Sequence, residues 1–275
     1  MTYFAELELD PDRFVILKGR SFRYALGTMS NAPQVPPIYR TVPLPAEADA
    51  AIEAARAAAS GADPATLFWV DRSDRAQCAI VLGPDEPLRA AAQIVHIGMT
   101  TLGDALGAAL PPLVVVGFRL PTIVLLNDAV LGGLRVYRPM SCGPDDVPDW
   151  LVLTIDIGVT RFAEGSAEAA DLAFTTFEDE GCMGISTGEV TGAFARYLLT
   201  WIDRWQKDGF GPVRTGWMSH ARISAEEIEL QIGGRDFAGR FAGLSDAGEI
   251  VLETAEGSQA ISPVDLVQAF GGVAE

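Results

Sequence analysis

The chain has 275 residues, of which 49% are hydrophobic, and it carries a formal net charge of −17 at pH 7. This length and hydrophobic content favour a folded protein with a sizeable core over a disordered chain. The negative charge disfavours nucleic acid as a partner, and the sequence lacks the run of about 18 apolar residues that a membrane-spanning helix needs.

The N-terminal segment, residues 1–45, is predicted to be irregular. Five prolines lie between residues 29 and 45, and proline interrupts both helices and central strands. The acidic start of the segment also lacks the basic and then apolar layout of a signal peptide, so we expect a cytoplasmic protein.

Helices and strands are predicted to alternate between residues 46 and 220. The alanine-rich run that ends at Gly61 predicts the first helix, and a capping box from Ser186 to Glu189 begins the last one. Asn127 and Asp128 predict the turn of a hairpin. In chain order, the predicted elements are a helix at 46–60, strands at 66–72 and 76–84, a helix at 88–110, a strand at 113–121, a hairpin at 122–139, a strand at 149–161 and a helix at 186–210.

After residue 220, short runs of alternating apolar and polar residues are separated by glycine-containing turns. This pattern predicts a small β-barrel. The hairpins that lie beside helices earlier in the chain are typical of the α+β class. The predicted organisation is an irregular segment at 1–45, an α+β domain at 46–220 and a β-barrel domain at 221–275.

Three stretches of the chain carry the pattern of a known family. They are the hairpin from Arg119 to Val136, the strand Leu153–Phe162, and the final helix with the barrel strands that follow it. On these stretches, residues 46–270 resemble the biotin protein ligases of the biotin/lipoate A/B protein ligase superfamily. The resemblance implies a mixed sheet with flanking helices and a C-terminal SH3-like barrel.

The resemblance also implies an activity in two half-reactions. ATP, which would bring Mg²⁺, and a carboxylic acid such as biotin, lipoate or octanoate form an acyl-adenylate. The acyl group then passes to a lysine of a biotinyl or lipoyl carrier domain. The first step brings two anions together, so the site needs fixed cations. In the family, one lysine and a loop rich in glycine and arginine supply them.

This sequence departs from the family pattern at the hairpin, so the resemblance implies a divergent member with degenerate catalytic motifs. The family lysine falls at Val130, and the motif's asparagine and aspartate fall at Thr122 and Ile123. The chain has only two lysines, Lys18 and Lys207, and neither is near the hairpin in sequence.

The loop that would bind phosphate is also reduced. It would lie at residues 70–75, where the sequence has a short turn without glycine. Arg72 and Arg75 remain in this turn as candidate ligand-binding cations. The sequence does not identify a catalytic residue.

The hairpin supplies the other candidate ligand-binding residues. Arg119 and Arg135 could hold a carboxylate or a phosphate by paired guanidinium hydrogen bonds, and Gly132 and Gly133 would let a ligand approach the backbone closely. Two other interpretations stay open: the arginines would form surface ion pairs with nearby acidic residues, and the glycines would serve a β-bulge or tight packing.

The cysteine and acidic residues predict no metal site. Cys78, Cys142 and Cys182 lack metal-ligand spacing and are expected to be buried, reduced thiols. The acidic segment at 177–184 favours a solvated loop over a Mg²⁺ site. A cysteine relay for acyl transfer through Cys142 or Cys182 has no obvious histidine partner.

Three functions follow from these observations. The first is a protein that binds a small carboxylic acid, its adenylate or a biotinyl or lipoyl carrier domain without standard ligation. The second is a divergent ligase or acyltransferase that uses ATP, Mg²⁺ and biotin or lipoate, with arginines in place of the lysine. The third is a scaffold that binds a protein through the barrel. The charge and the lack of a predicted N-terminal helix-turn-helix argue against a DNA-binding repressor, and we favour the first two functions.

Overall fold

A computed structural model describes residues 31–162, 173–223 and 227–270 of the chain. This part of the chain forms an eight-stranded sheet, helices on both of its faces, and a separate four-stranded sheet. The strands of the large sheet are β1 (Arg40–Leu44), β2 (Thr66–Val70), β3 (Arg75–Leu82), β4 (Val116–Arg119), β5 (Ile123–Leu126), β6 (Ala129–Pro139), β7 (Leu151–Gly158) and β12 (Val267–Phe270).

The described ranges also contain five helices, and the smaller sheet follows them in the chain. The helices are α1 (Ala50–Ala59), α2 (Leu88–Ala91), α3 (Ile94–Ala109), α4 (Thr187–Asp208) and α5 (Phe210–His220). The smaller sheet consists of β8 (Ile228–Ile232), β9 (Arg235–Leu244), β10 (Ile250–Thr254) and β11 (Gly257–Ile261), and a 3-10 helix (Pro263–Leu266) leads from it to β12.

The large sheet is mixed. Its strand order is β1-β2-β3-β7-β6-β5-β4, and β12 pairs with β6. β1 runs parallel to β2 and β12 runs parallel to β6, whereas the other neighbouring strands are antiparallel. A mixed sheet of this kind with flanking helices confirms the predicted α+β class.

Successive side chains of β7 point to opposite faces of the sheet, and their surroundings show how the two faces differ. Leu153, Ile155 and Ile157 point into the large core, which α3, α4 and α5 cover. Val152 points to the opposite face and packs in a smaller core against the buried alanines of α1. Since α1 has only 10 residues, it covers part of this second face and leaves the rest open.

β1 corrects the prediction that residues up to 45 are irregular. Its residues pair in parallel with β2 at the edge of the sheet, from Arg40 opposite Thr66 to Leu44 opposite Val70. Pro43 is tolerated because an edge strand has one unpaired side, where a missing N–H costs no ladder hydrogen bond. Residues 1–30 lie outside the described residues, so the prediction for them stays a prediction.

The helices also differ from the prediction in two places. The helix predicted at 88–110 is divided into α2 and α3 at Ala92 and Gln93. The chain after α4 forms a further helix, α5. The sequence did not predict it, because glycines and Pro212 disfavour a helix. Gly209, with a φ of 72°, ends α4, and Pro212 lies in the first turn of α5, where its missing N–H leaves no intrahelical bond unmade.

The predicted caps and turns are confirmed. Ser186 and Glu189 form a reciprocal capping box at the start of α4. Asn127 and Asp128 join β5 to β6 as a two-residue turn, and both have positive φ angles, 48° and 70°. Such a turn matches the twist of the strands that it joins.

The C-terminal part has the four antiparallel strands expected of a small barrel, in the order β11-β10-β9-β8. The chain then returns to the large sheet, because β12 pairs with β6 from Val267 opposite Val136 onward. No helix in the described ranges is long and apolar enough to cross a membrane. The division of the chain at residues 45 and 220 stays a prediction.

Candidate functional site

The open part of the sheet face beside α1 forms a cavity of about 690 Å³. α1 begins at its border, where the Asp49 carboxylate accepts hydrogen bonds from the amides of Ala51 (2.8 Å) and Ile52 (3.2 Å). Aspartate is a favoured N-cap residue, so the local sequence starts the helix here and leaves the neighbouring strands uncovered.

A row of residues crosses the floor of this cavity from β3 to β4. Residues that lie directly opposite in antiparallel strands have their side chains on the same face, and four strand pairings in succession therefore align one row. In order, the row consists of Gln77, Asp156, Gly133, Ile123 and Arg119.

Most of the candidate ligand-binding residues lie around this cavity. Its lining includes Arg75, Arg119, Gly132, Gly133 and Arg135.

Arg72 is not among the described residues that line the cavity. It forms a bidentate ion pair with Asp74, with Nε–Oδ1 and Nη2–Oδ2 distances of 2.7 and 2.6 Å. The hydrogen bonds from Arg72 hold the pKa of the Asp74 carboxyl below its usual range. The structure thus gives Arg72 a role in holding the β2–β3 connection.

Arg75 belongs to a cluster of polar side chains at one end of the row. Its Nε donates to Asp156 Oδ1 at 2.7 Å, and Gln77 Nε2 donates to Asp156 Oδ2 at 3.0 Å. The Arg75 guanidinium also lies over the ring of Phe162, 5.1 Å from its centroid. The Arg75 side chain is only 15% exposed, whereas that of Asp156 is 39% exposed, so the carboxylate remains accessible from the cavity.

Sequence reasoning missed Asp156 and Gln77. One local signal was available for Asp156, since it is the only charged residue in β7, whose other residues are mostly buried and apolar. Gln77 carries no such signal, because its partner is 79 residues away in the chain.

Arg119 and Arg135 differ from Arg75 in having no carboxylate partner among the described residues. Both are exposed, and neither takes part in any ion pair found among the described residues. The open alternative, in which these arginines pair with acidic residues on the surface, therefore has no support in this part of the chain.

The glycine pair is explained by strand packing. A Cβ at Gly132, whose φ is +154°, would overlap with the carbonyl oxygen of Asp156, and a Cβ at Gly133 would lie 2.7 Å from that of Thr122. The β5–β6 pairing also shifts register next to Gly132. The predicted bulge and tight packing are thus present, although both glycines also line the cavity.

Val130 lies where the resemblance places the family lysine. It lines the cavity, is 7% exposed, and adds a short pairing to the edge of the hairpin. Its amide donates to the carbonyl of Ala173 at 2.7 Å, and its own carbonyl accepts from the amide of Thr175 at 2.8 Å. Thr122 and Ile123, at the positions of the motif's asparagine and aspartate, also line the cavity.

The acidic segment at 177–184 is used for structure. The Asp179 carboxylate accepts from Arg161 Nε at 2.7 Å, and Glu180 accepts from Asn127 Nδ2 at 2.7 Å and from Thr175 Oγ1 at 2.8 Å. No group of three or more His, Cys, Asp or Glu side chains in the described ranges is arranged to hold a metal ion. These carboxylates are therefore bonded, and not simply solvated as the sequence favoured.

The two cysteines considered for an acyl relay are placed poorly for it. Cys142 and Cys182 are buried, and burial raises the pKa of each thiol, so neither is held as a thiolate. Neither is among the described residues that line the cavity.

Similar proteins are known among both sequences and solved structures. The biotin–[acetyl-CoA-carboxylase] ligase of Paracoccus denitrificans is 27% identical over 207 residues, which cover 74% of this chain and 83% of the relative. A biotin protein ligase-like protein of unknown function from Silicibacter sp. TM1040 has a TM-score of 0.76 and 24% identity, over 86% of this chain and 99% of that chain.

The apo structure of biotin protein ligase from Aquifex aeolicus is also similar in fold. It has a TM-score of 0.66 and 19% identity, over 82% of this chain and 97% of that chain. The same enzyme has been solved in complex with biotin and ATP.

One family model matches the part of the chain that builds the cavity. It describes the biotin/lipoate A/B protein ligase family and covers residues 35–219, more than half of the chain. The matched range contains the strands β1 to β7 and the helix α1 that borders the cavity. The chain therefore belongs to the biotin/lipoate A/B protein ligase family.

Proposed function

We propose that the protein binds a small carboxylic acid, or the acyl-adenylate formed from it, in the cavity beside α1. The observation that carries the proposal is the pair of exposed arginines, Arg119 and Arg135, which line one cavity and have no carboxylate partner among the described residues. A guanidinium group binds carboxylate or phosphate by two parallel hydrogen bonds, so this pair suits an anionic ligand.

The proposal is for binding without standard ligation. A carboxylate that attacks a phosphate needs preorganised cations, and removal of a single such donor typically costs about 10²–10³-fold in rate. Val130 has neither charge nor donor where the resemblance expects the lysine. The β2–β3 connection, residues 71–74, is also too short to wrap a phosphate group with its amides.

A divergent ligase or acyltransferase is the second candidate, and one observation favours it. Arg75, Arg119 and Arg135 all line the same cavity, which brings three guanidinium groups to one site, although Arg75 is already paired with Asp156. Such an enzyme would use ATP with Mg²⁺ and biotin or lipoate, and its acceptor would be a lysine of a biotinyl or lipoyl carrier domain. A cysteine relay is disfavoured, since Cys142 and Cys182 are buried thiols outside this lining.

Two measurements on the full chain distinguish these functions. The first is acid-dependent exchange of pyrophosphate into ATP, with biotin, lipoate and octanoate tested in turn. The second is the shift in melting temperature that each acid causes. Stabilisation without exchange supports the binding protein, because a ligand that binds only the folded state raises its stability. Exchange with any acid supports the divergent ligase, and the absence of both signals refutes both proposals.

A protein partner is a further part of the proposal. A carrier domain would approach the mouth of the cavity, and the barrel strands β8 to β11 are the alternative surface for a protein-binding scaffold. Loss of carrier binding when Arg119 and Arg135 are replaced by glutamine would favour the cavity, whereas unchanged binding would favour the barrel. The predicted cytoplasmic location stays a prediction.

A further inference from the structure

A second cavity, of about 560 Å³, lies between the C-terminal half of α4 and the end of β3. We call it the α4 cleft, and its lining includes Leu82, Leu199, Ile202, Trp205 and Phe210. The described residues that line it all differ from those that line the cavity beside α1. Small-molecule sites typically have volumes of about 300–1,000 Å³, so the α4 cleft is large enough for a separate ligand.

One wall of the α4 cleft is apolar and only partly covered. Leu199, Ile202 and Trp205 follow one another at three-residue intervals along α4, so their side chains lie near one face of the helix. Each of them packs against the large core but keeps part of its surface exposed. A ligand that covers this wall therefore removes further apolar surface from water.

Hydrogen bonds hold two aromatic side chains of the cleft in place. Trp205 Nε1–H donates to Gln93 Oε1 at 2.9 Å, and Gln93 Nε2 donates in turn to the carbonyl of Ala247 at 3.1 Å. The Tyr39 hydroxyl donates to the carbonyl of Ala195 at 2.9 Å. Since the polar groups of both side chains are already bonded, what remains for a ligand is the ring surface, and aromatic rings attract cations.

The charges at the cleft are negative. Its lining includes Asp85, Glu86 and Asp246 but, within the described ranges, no lysine or arginine. Asp246 pairs with Arg214, whereas Asp85 and Glu86 are exposed and take part in no ion pair found among the described residues. A proline on each side of this acidic pair restricts its backbone. The two carboxylates favour a ligand with a positive charge and disfavour an acid.

We propose that the α4 cleft binds a small hydrophobic amine. The hydrocarbon part of the amine covers Leu199, Ile202 and Trp205, and its ammonium group lies beside Asp85 and Glu86. The inference does not depend on the proposed function, because the two cavities have different linings and suit ligands of opposite charge.

NMR titration of the full, ¹⁵N-labelled chain with a matched pair of probes tests the proposal. Phenylbutylamine is charged at neutral pH, and phenylbutanol has the same hydrocarbon part without the charge. The indole N–H signal of Trp205, assigned with Trp205→Phe, reports binding in the cleft itself. The amine should shift this signal and bind about threefold or more tightly than the alcohol, because each exposed ion pair changes affinity by up to about fivefold.

Variants test the acidic and the apolar parts of the cleft separately. Asp85→Asn combined with Glu86→Gln should weaken amine binding about threefold or more and leave alcohol binding unchanged. Glu229→Gln combined with Glu256→Gln is the matched control, because it removes two exposed carboxylates of the barrel strands that lie outside the lining of the cleft. Leu199→Gln should weaken the binding of both probes.

Three results would overturn the proposal. They are a Trp205 signal that the amine does not shift, equal affinities for the amine and the alcohol, and equal weakening in the Asp85/Glu86 variant and its control. The last result would show that the net charge of −17 attracts the amine without a particular site. Each of these results leaves the acid-binding function as it stands, and failure of every acid to bind beside α1 leaves the amine site as it stands.

Discussion

Arg119 and Arg135 are the residues that should decide how tightly the cavity holds an anion. Arg119→Gln and Arg135→Gln should each weaken binding of the preferred acid by about tenfold or more, because a hydrogen bond to a charged group contributes about 1.5–3 kcal/mol. Both side chains are exposed and take no part in the ion pairs of the described residues, so the melting temperature should change little.

Calorimetric titration checks this prediction, and Arg56→Gln is its control. Arg56 is an exposed arginine of α1 that pairs with Glu53 and is not among the described residues lining the cavity. If the affinity for the acid stayed the same in Arg119→Gln and Arg135→Gln, the assignment of the ligand's anionic group to these two arginines would be contradicted.

Gly132 should be the glycine of the hairpin that tolerates substitution least. Gly132→Ala would place a Cβ against the carbonyl oxygen of Asp156 at a φ that side chains rarely adopt, and it should lower the free energy of unfolding by about 2 kcal/mol or more. Gly107→Ala in α3 is the matched control. A Cβ there meets no neighbouring atom, so the helix should gain up to about 1 kcal/mol. Urea denaturation measures both, and equal effects would refute the packing argument.

At the scale of elements, the start of α1 links helix stability to the charge of the cavity. Asp49→Ala removes the N-cap acceptor and should lower the free energy of unfolding by about 1 kcal/mol. Asp49→Asn keeps an acceptor for the Ala51 and Ile52 amides, so stability should be retained. Both variants remove a negative charge from the cavity lining and should strengthen acid binding modestly. Thermal denaturation measures the stability of the two variants, and titration measures their acid binding. Equal loss of stability in both variants would disprove the role of Asp49 as the N-cap.

At the scale of the whole molecule, His96 connects the large core to the C-terminal strands. It is fully buried in α3, and its Nε2–H donates to the carbonyl of Gly248 at 2.8 Å. Phe210 and Trp217 pack against its ring at centroid distances of 5.8 and 6.0 Å. Burial lowers the pKa of His96 to about 4, so the folded protein holds this imidazole neutral.

The low pKa of His96 predicts that stability falls in mild acid. The unfolded chain binds a proton at His96 below its ordinary pKa of about 6.5, whereas the folded protein does not until about pH 4. Stability from this group is therefore complete above pH 6.5 and is lost as the pH falls towards 4, with roughly 2 kcal/mol lost between pH 7.5 and pH 5.

Urea denaturation at pH 7.5 and pH 5 measures this loss. His96→Gln keeps an N–H donor for Gly248 but cannot take up a proton, so its stability should depend less on pH over this range. If the variant and the wild type lost the same free energy, another group would be responsible.

The amino-acid sequence by itself determined the features that depend on neighbouring residues. The capping box at Ser186, the Asn127-Asp128 turn, the helix and strand periodicities and the α+β class all follow from residues within a few positions of one another. The resemblance at the hairpin also named Arg119 and Arg135, and the turn at residues 70–75 named Arg72 and Arg75. The structure places all of these except Arg72 around one cavity.

Only the tertiary structure decided which distant residues meet. Asp156 and Arg75 are 81 residues apart, and their ion pair exists because β3 and β7 are neighbours in a particular register. In the same way, pairing with β2 makes Arg40–Leu44 a strand, and pairing with β6 carries β12 out of the barrel into the large sheet. Strand register is set by the burial of whole faces and not by local residue preference, so these contacts could not be deduced from the sequence alone.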